Sequence, residues 1–284
     1  MLRDVSSAPN GGRFYGGLAC PKLSLLVDGK PQILKFPNVL KGKGFKNTNL
    51  SYANSSISEL IGSEIFKLFG LPVHKVQLVL YDNKLCAMCE DFVTSGRLVE
   101  FREIISTSGL FTDSGVTGST TDLDCVLAVA ETIPGYTDFF WKMFVVDAII
   151  GNHDRNTGNF GIISSNGTIR IAPVYDNGNC LNPTWDIDKM IKHLSDIDTV
   201  AYKAYTCKFT LNDKEINPFQ LLEKNIYSGA TKALRMLDGV TFSQIEEIVN
   251  NTPEISSEQK DYYNSVMFSR FIKLLTIKNQ LLGY

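Results

Sequence analysis

The sequence predicts an α+β fold in two lobes, a small β-rich lobe over residues 1–93 and a larger, mostly helical lobe over residues 94–284. Three observations predict it. A chain of 284 residues is long for one compact core. Up to residue 93 the apolar residues fall mainly in strand-length runs with a single helical stretch. Beyond residue 121 helical spacing dominates to the end of the chain.

The elements follow in order. Lys22–Val27 and Gln32–Phe36 are β-prone runs on either side of the turn sequence Asp28-Gly29-Lys30-Pro31. Residues 37–56 are polar and read as a loop carrying Lys41, Lys43 and Lys46. Ser58 is the expected cap of a helix from Glu59 to Gly70, with Pro72 just beyond. Val73–Tyr81 and Leu85–Phe92 read as strands joined at Asp82-Asn83. Residues 106–121, rich in Ser, Thr and Gly, read as a loop. Asp122–Thr132 and Asp138–Ile150 read as helices, the second apolar almost all round and therefore buried. Phe160–Ile163 and Thr168–Ile171 are short strands about a Ser-Ser-Asn-Gly turn. From Asn217 the chain is helical, with a capping box at Thr241-Phe-Ser-Gln244 and a long amphipathic stretch from Glu258 to Leu282.

Composition narrows the function classes. A formal charge of −2 lacks the basic excess of a nucleic-acid surface, so no nucleic-acid partner is expected. No apolar run spans a bilayer and no secretory signal opens the chain, which predicts a soluble, cytoplasmic protein and leaves open non-classical translocation into a host cell. The six cysteines are scattered and read as buried thiols; Cys86 and Cys89 have CxxC spacing without a second pair. His74, His153 and His193 form no ligand pattern in the sequence.

One segment carries chemistry: Gly151-Asn-His-Asp-Arg-Asn-Thr-Gly-Asn-Phe-Gly161. Asp154 and Asn159 have the D-x₄-N spacing of a kinase catalytic loop, directly after a buried helix and before a strand. An Asp there orients an attacking hydroxyl, and the Asn amide oxygen is a hard ligand for Mg²⁺. Asp176, after the two strands, is the expected second metal ligand. Upstream, Lys35 sits in an apolar strand, where its ammonium needs an anion, and Glu59 on the next helix is the expected partner. Gly16-Gly17 lets backbone approach phosphates. Each piece alone has a bland reading: chance spacing, a turn at Asp176-Asn177-Gly178, a snorkelling lysine. Their order along the chain argues for ATP- and Mg²⁺-dependent phosphoryl transfer.

These residues resemble the HipA-like family of bacterial Ser/Thr protein kinases, in a minimal stand-alone form. The likeness runs through Gly16–Leu25, Ile33-Leu-Lys-Phe-Pro37, Ser58-Glu59, Gly70-Leu-Pro-Val73, Cys89-Glu-Asp-Phe92, Asn152–Asn159 and Pro173-Val-Tyr-Asp176. It implies a protein-kinase-like fold and transfer of the ATP γ-phosphate to Ser or Thr of a protein substrate, the kinase itself included. It further implies ATP contacts from Gly16, Gly17, Lys35, Asp176 and a hinge at Glu90, Asp91 and Phe92. Two positions depart from the family pattern, where His and Lys are usual and this chain has Asn156 and Gly158. The positive group missing there is expected from Arg155 or from a lysine of the 41–46 loop. The chain is expected to lack the extra N-terminal domain of the longer toxins, and their operator-binding role is not carried over. Two alternatives stand beside this reading. Asp154-Arg155…Asn159 with Asp176-Asn-Gly178 is also similar to phosphatidylinositol 4-kinases, and the departures at 156 and 158 admit a nucleotide-binding pseudokinase.

Overall fold

A computed structural model describes residues 2–15, 22–37, 54–109, 116–117 and 120–283. The chain opens with strands β1 (Arg3–Asp4), β2 (Lys22–Val27) and β3 (Lys30–Lys35), helix α1 (Asn54–Leu68), and strands β4 (Val76–Tyr81) and β5 (Lys84–Glu90). They form a five-stranded sheet in the order β1-β4-β5-β3-β2, antiparallel except for β1 against β4. The two-residue turn between β4 and β5 places Asp82 and Asn83 at φ 47° and 58°, the left-handed geometry that Asn and Asp tolerate. The period of two sorts β5: Cys86 and Met88 pack with Val5, Leu25 and Leu34, while Ala87 and Cys89 pack with Leu60 of α1.

Helix α1 corrects one expectation. It begins at Asn54, a turn before the expected cap at Ser58. Tertiary bonds draw the extra turn into the helix: the Asn54 amide donates to Trp185 O at 2.9 Å and accepts from Gln259 Nε2 at 2.9 Å, and Ser56 Oγ donates to Leu85 O. Ser58 lies inside the helix, fully buried. The end of the helix falls as expected, with Gly70 at φ 73°.

The remainder is mainly helical. Strand β6 (Arg97–Glu100) and helix α2 (Phe101–Thr107) lead into β7 (Val116–Thr117), β8 (Thr120–Asp122), α3 (Leu123–Glu131) and α4 (Tyr136–Ile150). The expected 106–121 loop is thus shorter, because the end of α2 and the β7–β8 pair take residues from it. Strand β9 (Gly161–Ser165) pairs with β6 on one side and with β10 (Thr168–Ile171) on the other, both antiparallel. Next come α5 (Ile187–Leu194), a π-helical turn at Thr199–Lys203, β11 (Phe209–Leu211), β12 (Lys214–Glu215), α6 (Pro218–Glu223) and α7 (Ser228–Ala233). A 3₁₀ turn at Leu234–Gly239 leads to α8 (Phe242–Asn250) and α9 (Ser257–Leu282). The expected capping box of Thr241 with Gln244 is present, and a second one, Ser256 with Gln259, opens α9. Helix α4 is the buried axis, as its all-round apolar character requires: Phe140, Val145, Val146, Ala148, Ile149 and Ile150 are fully covered.

Candidate active site

Lys35 ends β3 and is buried, which an ammonium tolerates only against anions. Two are supplied: Nζ donates to Glu59 Oε2 at 3.0 Å and to Asp176 Oδ1 at 2.8 Å. The sequence paired Lys35 with Glu59; the fold adds Asp176 to the same ammonium. Burial lowers the Lys35 pKa, and the charges of Asp176 and Glu59 outweigh it, leaving it well above its ordinary value. Glu59 is 2 % exposed and spends its other oxygen on the backbone N–H of Asn177 at 3.0 Å and on His74 Nε2 at 2.9 Å. Burial pushes the Glu59 carboxyl up, and Lys35 with His74 pulls it down further, so it stays ionised. Cys89 Sγ completes a buried group with Glu59 and His74 whose donor atoms lie within 4.8 Å, but the Lys35 ammonium on Glu59 opposes a second cation there.

Asp176 follows β10 at φ 62°. Gly62 of α1 admits this turn, since a Cβ on it would stand 2.9 Å from Asn177 Cβ. The Asn177 amide then donates to Ser63 Oγ at 2.9 Å. Burial raises the Asp176 carboxyl and Lys35 pulls it below its ordinary value. Its side chain is one-third exposed.

The catalytic-loop segment leaves α4 at Gly151. Asn152 Oδ1 accepts from the Asp154 backbone N–H, and Asn159 Nδ2 donates to the Asp154 carbonyl at 2.7 Å, which directs Asn159 Oδ1 away from the loop backbone. Asp154 Oδ2 accepts from Asn179 Nδ2 at 3.0 Å and Oδ1 from Asn156 Nδ2 at 3.3 Å. Burial pushes the Asp154 carboxyl above its ordinary value, the Asn156 hydrogen bond opposes this, and the Asp176 charge adds to it. Burial also pushes the His153 imidazole down to about 4, so it is neutral at pH 7 against the ring of Tyr205.

Arg155 corrects a second expectation. It does not reach toward phosphates but is buried at 1 % exposure with all five N–H donors used. Nε and Nη2 hold Asp147 of α4 at 2.8 and 3.1 Å, Nη1 donates to the carbonyls of Asn159 and Tyr175 at 3.0 and 2.5 Å, and Nη2 donates to Asn177 Oδ1 at 2.6 Å. Its guanidinium therefore binds α4, the loop and the Tyr175–Asn177 turn together.

At the end of β5, the Asp91 carboxylate accepts from Arg13 at 2.5 Å, from Tyr15 Oη at 2.6 Å and from the Val93 N–H at 3.0 Å. Asp91 thereby clasps the N-terminal segment. The Phe92 ring lies between His74 and Tyr175, at centroid distances of 6.4 and 5.6 Å. Glu90, at the strand end, donates its N–H to Lys75 O. Gly16, Gly17 and the 41–46 lysines lie outside the described residues. Sequence reasoning missed the roles of His74, Asp147 and Asn179, none of which stands at a motif spacing from Asp154; the remoteness of His74 in sequence concealed its contact with Glu59.

Lys35, Glu59 and Asp176 form one ion cluster and Asp154 is joined to Asn159, in a fold of a five-stranded sheet and a helical body that is protein-kinase-like. No family model matches the chain. It is 30 % identical over 275 residues to the serine/threonine-protein kinase CtkA of Helicobacter pylori strain J99, covering 93 % of this chain and 83 % of that protein. The crystal structure of the H. pylori proinflammatory kinase CtkA superposes with a TM-score of 0.89 at 28 % identity, covering all of this chain and 98 % of that one. HipA of Shewanella oneidensis MR-1, solved with HipB and operator DNA, shares the fold with a TM-score of 0.56 at 15 % identity over 68 % of its chain. The chain belongs to the family of the serine/threonine-protein kinase CtkA.

Proposed function

We propose that this protein is an ATP- and Mg²⁺-dependent serine/threonine protein kinase that transfers the γ-phosphate to protein hydroxyls, its own included. One observation carries the reading: the buried Lys35 ammonium bridges Glu59 and Asp176, joining the sheet to the loop that follows the catalytic segment. Residues 1–93 and 94–284 act as the two lobes, with Glu90–Phe92 as the hinge offering backbone groups to adenine. Lys35 passes from Asp176 to the phosphates when ATP binds, Glu59 keeping its position. Asp176 and Asn159 fit Mg²⁺ by chemistry, one carboxylate and one amide oxygen, both hard donors. Held by these two residues, Mg²⁺ would supply positive charge against the phosphates. Asp154, held by Asn156 and Asn179, orients the acceptor hydroxyl and takes up its proton. Likeness to CtkA across 93 % of the chain supports a protein acceptor over a lipid.

Incubation with labelled ATP, Mg²⁺ and either a generic protein or phosphatidylinositol tests this. Label is expected on protein, and D154A or D176A is expected to lower transfer by a factor on the order of 10³ or more. Label on lipid alone, or undiminished transfer by either variant, contradicts the assignment. A rise in Tm with ATP but no transfer to either acceptor identifies a pseudokinase.

A further inference from the structure

The catalytic segment lacks a cation of its own that faces outward. Arg155 is consumed internally, and Lys35 is held by Glu59 and Asp176. A guanidinium nevertheless reaches the loop from outside it. Helix α2 docks its first turn on the segment: Phe101 N–H donates to Phe160 O at 2.9 Å and Arg102 N–H to Thr157 O at 3.0 Å. The Arg102 side chain then lies over Gly158, where an added Cβ would stand 2.9 Å from its Cζ, 3.0 Å from its Nη2 and 3.0 Å from Asn156 Oδ1. Arg102 thus fills the space that a side chain at residue 158 would use.

Its protein partner is Glu100, whose Oε2 takes both Nε, at 2.5 Å, and Nη2. The two side chains are 58 % and 31 % exposed, and such a surface pair contributes little, so the guanidinium can exchange partners readily. Its remaining donors have no acceptor among the described residues. Asn156 shares with Arg102 the space over Gly158, and its amide touches the Asp154 carboxylate at 3.3 Å. The guanidinium is thus within a few residues' reach of that carboxylate along an extended chain at ~3.3 Å each.

We propose that Arg102 is a specificity residue that binds an acidic side chain of the acceptor, one or two residues from the Ser or Thr that Asp154 orients. The inference rests on the kinase reading above. A charge this far from the reacting oxygen selects acceptors without assisting the transfer of the phosphoryl group. Lys208 is a cation whose charge is felt at Asp154; its ammonium stands 3.9 Å from Glu215.

The test compares serine peptides with Asp, Ala or Lys at the two positions on each side, using the full chain, Mg²⁺ and ATP, with D154A as the blank. The wild type is expected to favour Asp over Lys peptides about fivefold to tenfold in kcat/KM, the size of one exposed charge contact. R102E should reverse the order, and R102K should retain part of it, with the KM for ATP unmoved in both. Equal use of Asp and Lys peptides by the wild type overturns the inference while leaving the kinase reading intact. So does a preference that survives R102E and disappears in K208E. A change confined to the KM of ATP moves Arg102 to the nucleotide and also overturns it. Failure of the wild type to label any protein or peptide overturns the kinase reading itself, and this inference with it.

Discussion

His74 shows how a single side chain can organise the site without touching a reactant. Its ring nitrogen meets Glu59 at 2.9 Å, its backbone N–H donates to Val174 O at 3.0 Å, and its ring edges onto Phe92. It thus links the carboxylate that anchors Lys35, the strand leading to Asp176 and the end of β5. Replacing it with Ala leaves one oxygen of a fully buried carboxylate short of a partner, at a cost of about 1–3 kcal/mol. H74A is expected to unfold at lower urea and to lose kcat, and H74Q, which keeps an N–H donor, to recover most of both; an H74Q no better than H74A would reduce the role of His74 to packing. Lys35, Glu59 and Asp176 were legible in the sequence because a charge in an apolar run demands a counter-charge and only a few were in order along the chain. Arg155 was not, because a loop residue beside Asp154 can point either into the protein or out of it, and only packing decides which.

At the scale of elements, the catalytic segment is clamped from beneath by α4 and α9. The Asp147–Arg155 pair is the first clamp. Burial pushes the Asp147 carboxyl up and Arg155 only partly restores it, so an unpaired Asp147 would be costly. R155M is expected to destabilise by about 3–5 kcal/mol, and R155K to rescue little, because an ammonium cannot replace a planar fork serving five acceptors. Denaturant midpoints measure both. The second clamp is Arg270 of α9, whose guanidinium lies under Gly151 and donates to Ala201 O at 2.9 Å. Gly151 has φ 65°, and a Cβ there would fall 2.3–2.4 Å from that guanidinium. G151A is therefore expected to cost more than the ~1 kcal/mol of left-handed strain alone, and the excess should shrink in a G151A/R270M double variant. Additive losses would show that Arg270 can move aside. The spans of α4 and α9 were readable from apolar spacing. The early start of α1 was not, since its first turn is held by Trp185 and Gln259, which are remote in sequence.

Across the whole molecule, the Lys35 cluster makes stability depend on pH. Glu59 and Asp176 have folded pKa values below their ordinary ones, so their contribution is complete above about pH 4–5 and is lost as pH falls through the folded values. Asp147 and Asp154, pushed up by burial, act in the opposite sense and soften the loss. Urea unfolding at pH 7, 5 and 3 should show the steepest loss below pH 4, and E59Q should flatten that limb; an unchanged slope in E59Q would place the acid sensitivity elsewhere. By itself the sequence determined β2 to β5, β9 and β10, helices α1, α3 and α4, the helical tail and the residues able to serve a phosphoryl-transfer site. Those follow from periodicity and from the cost of burying charge, which act locally. Only the tertiary structure decided that Lys35 holds two carboxylates, that Arg155 faces inward and that Arg102 covers Gly158. Those depend on which side chains meet across many intervening residues, and no local spacing encodes such meetings.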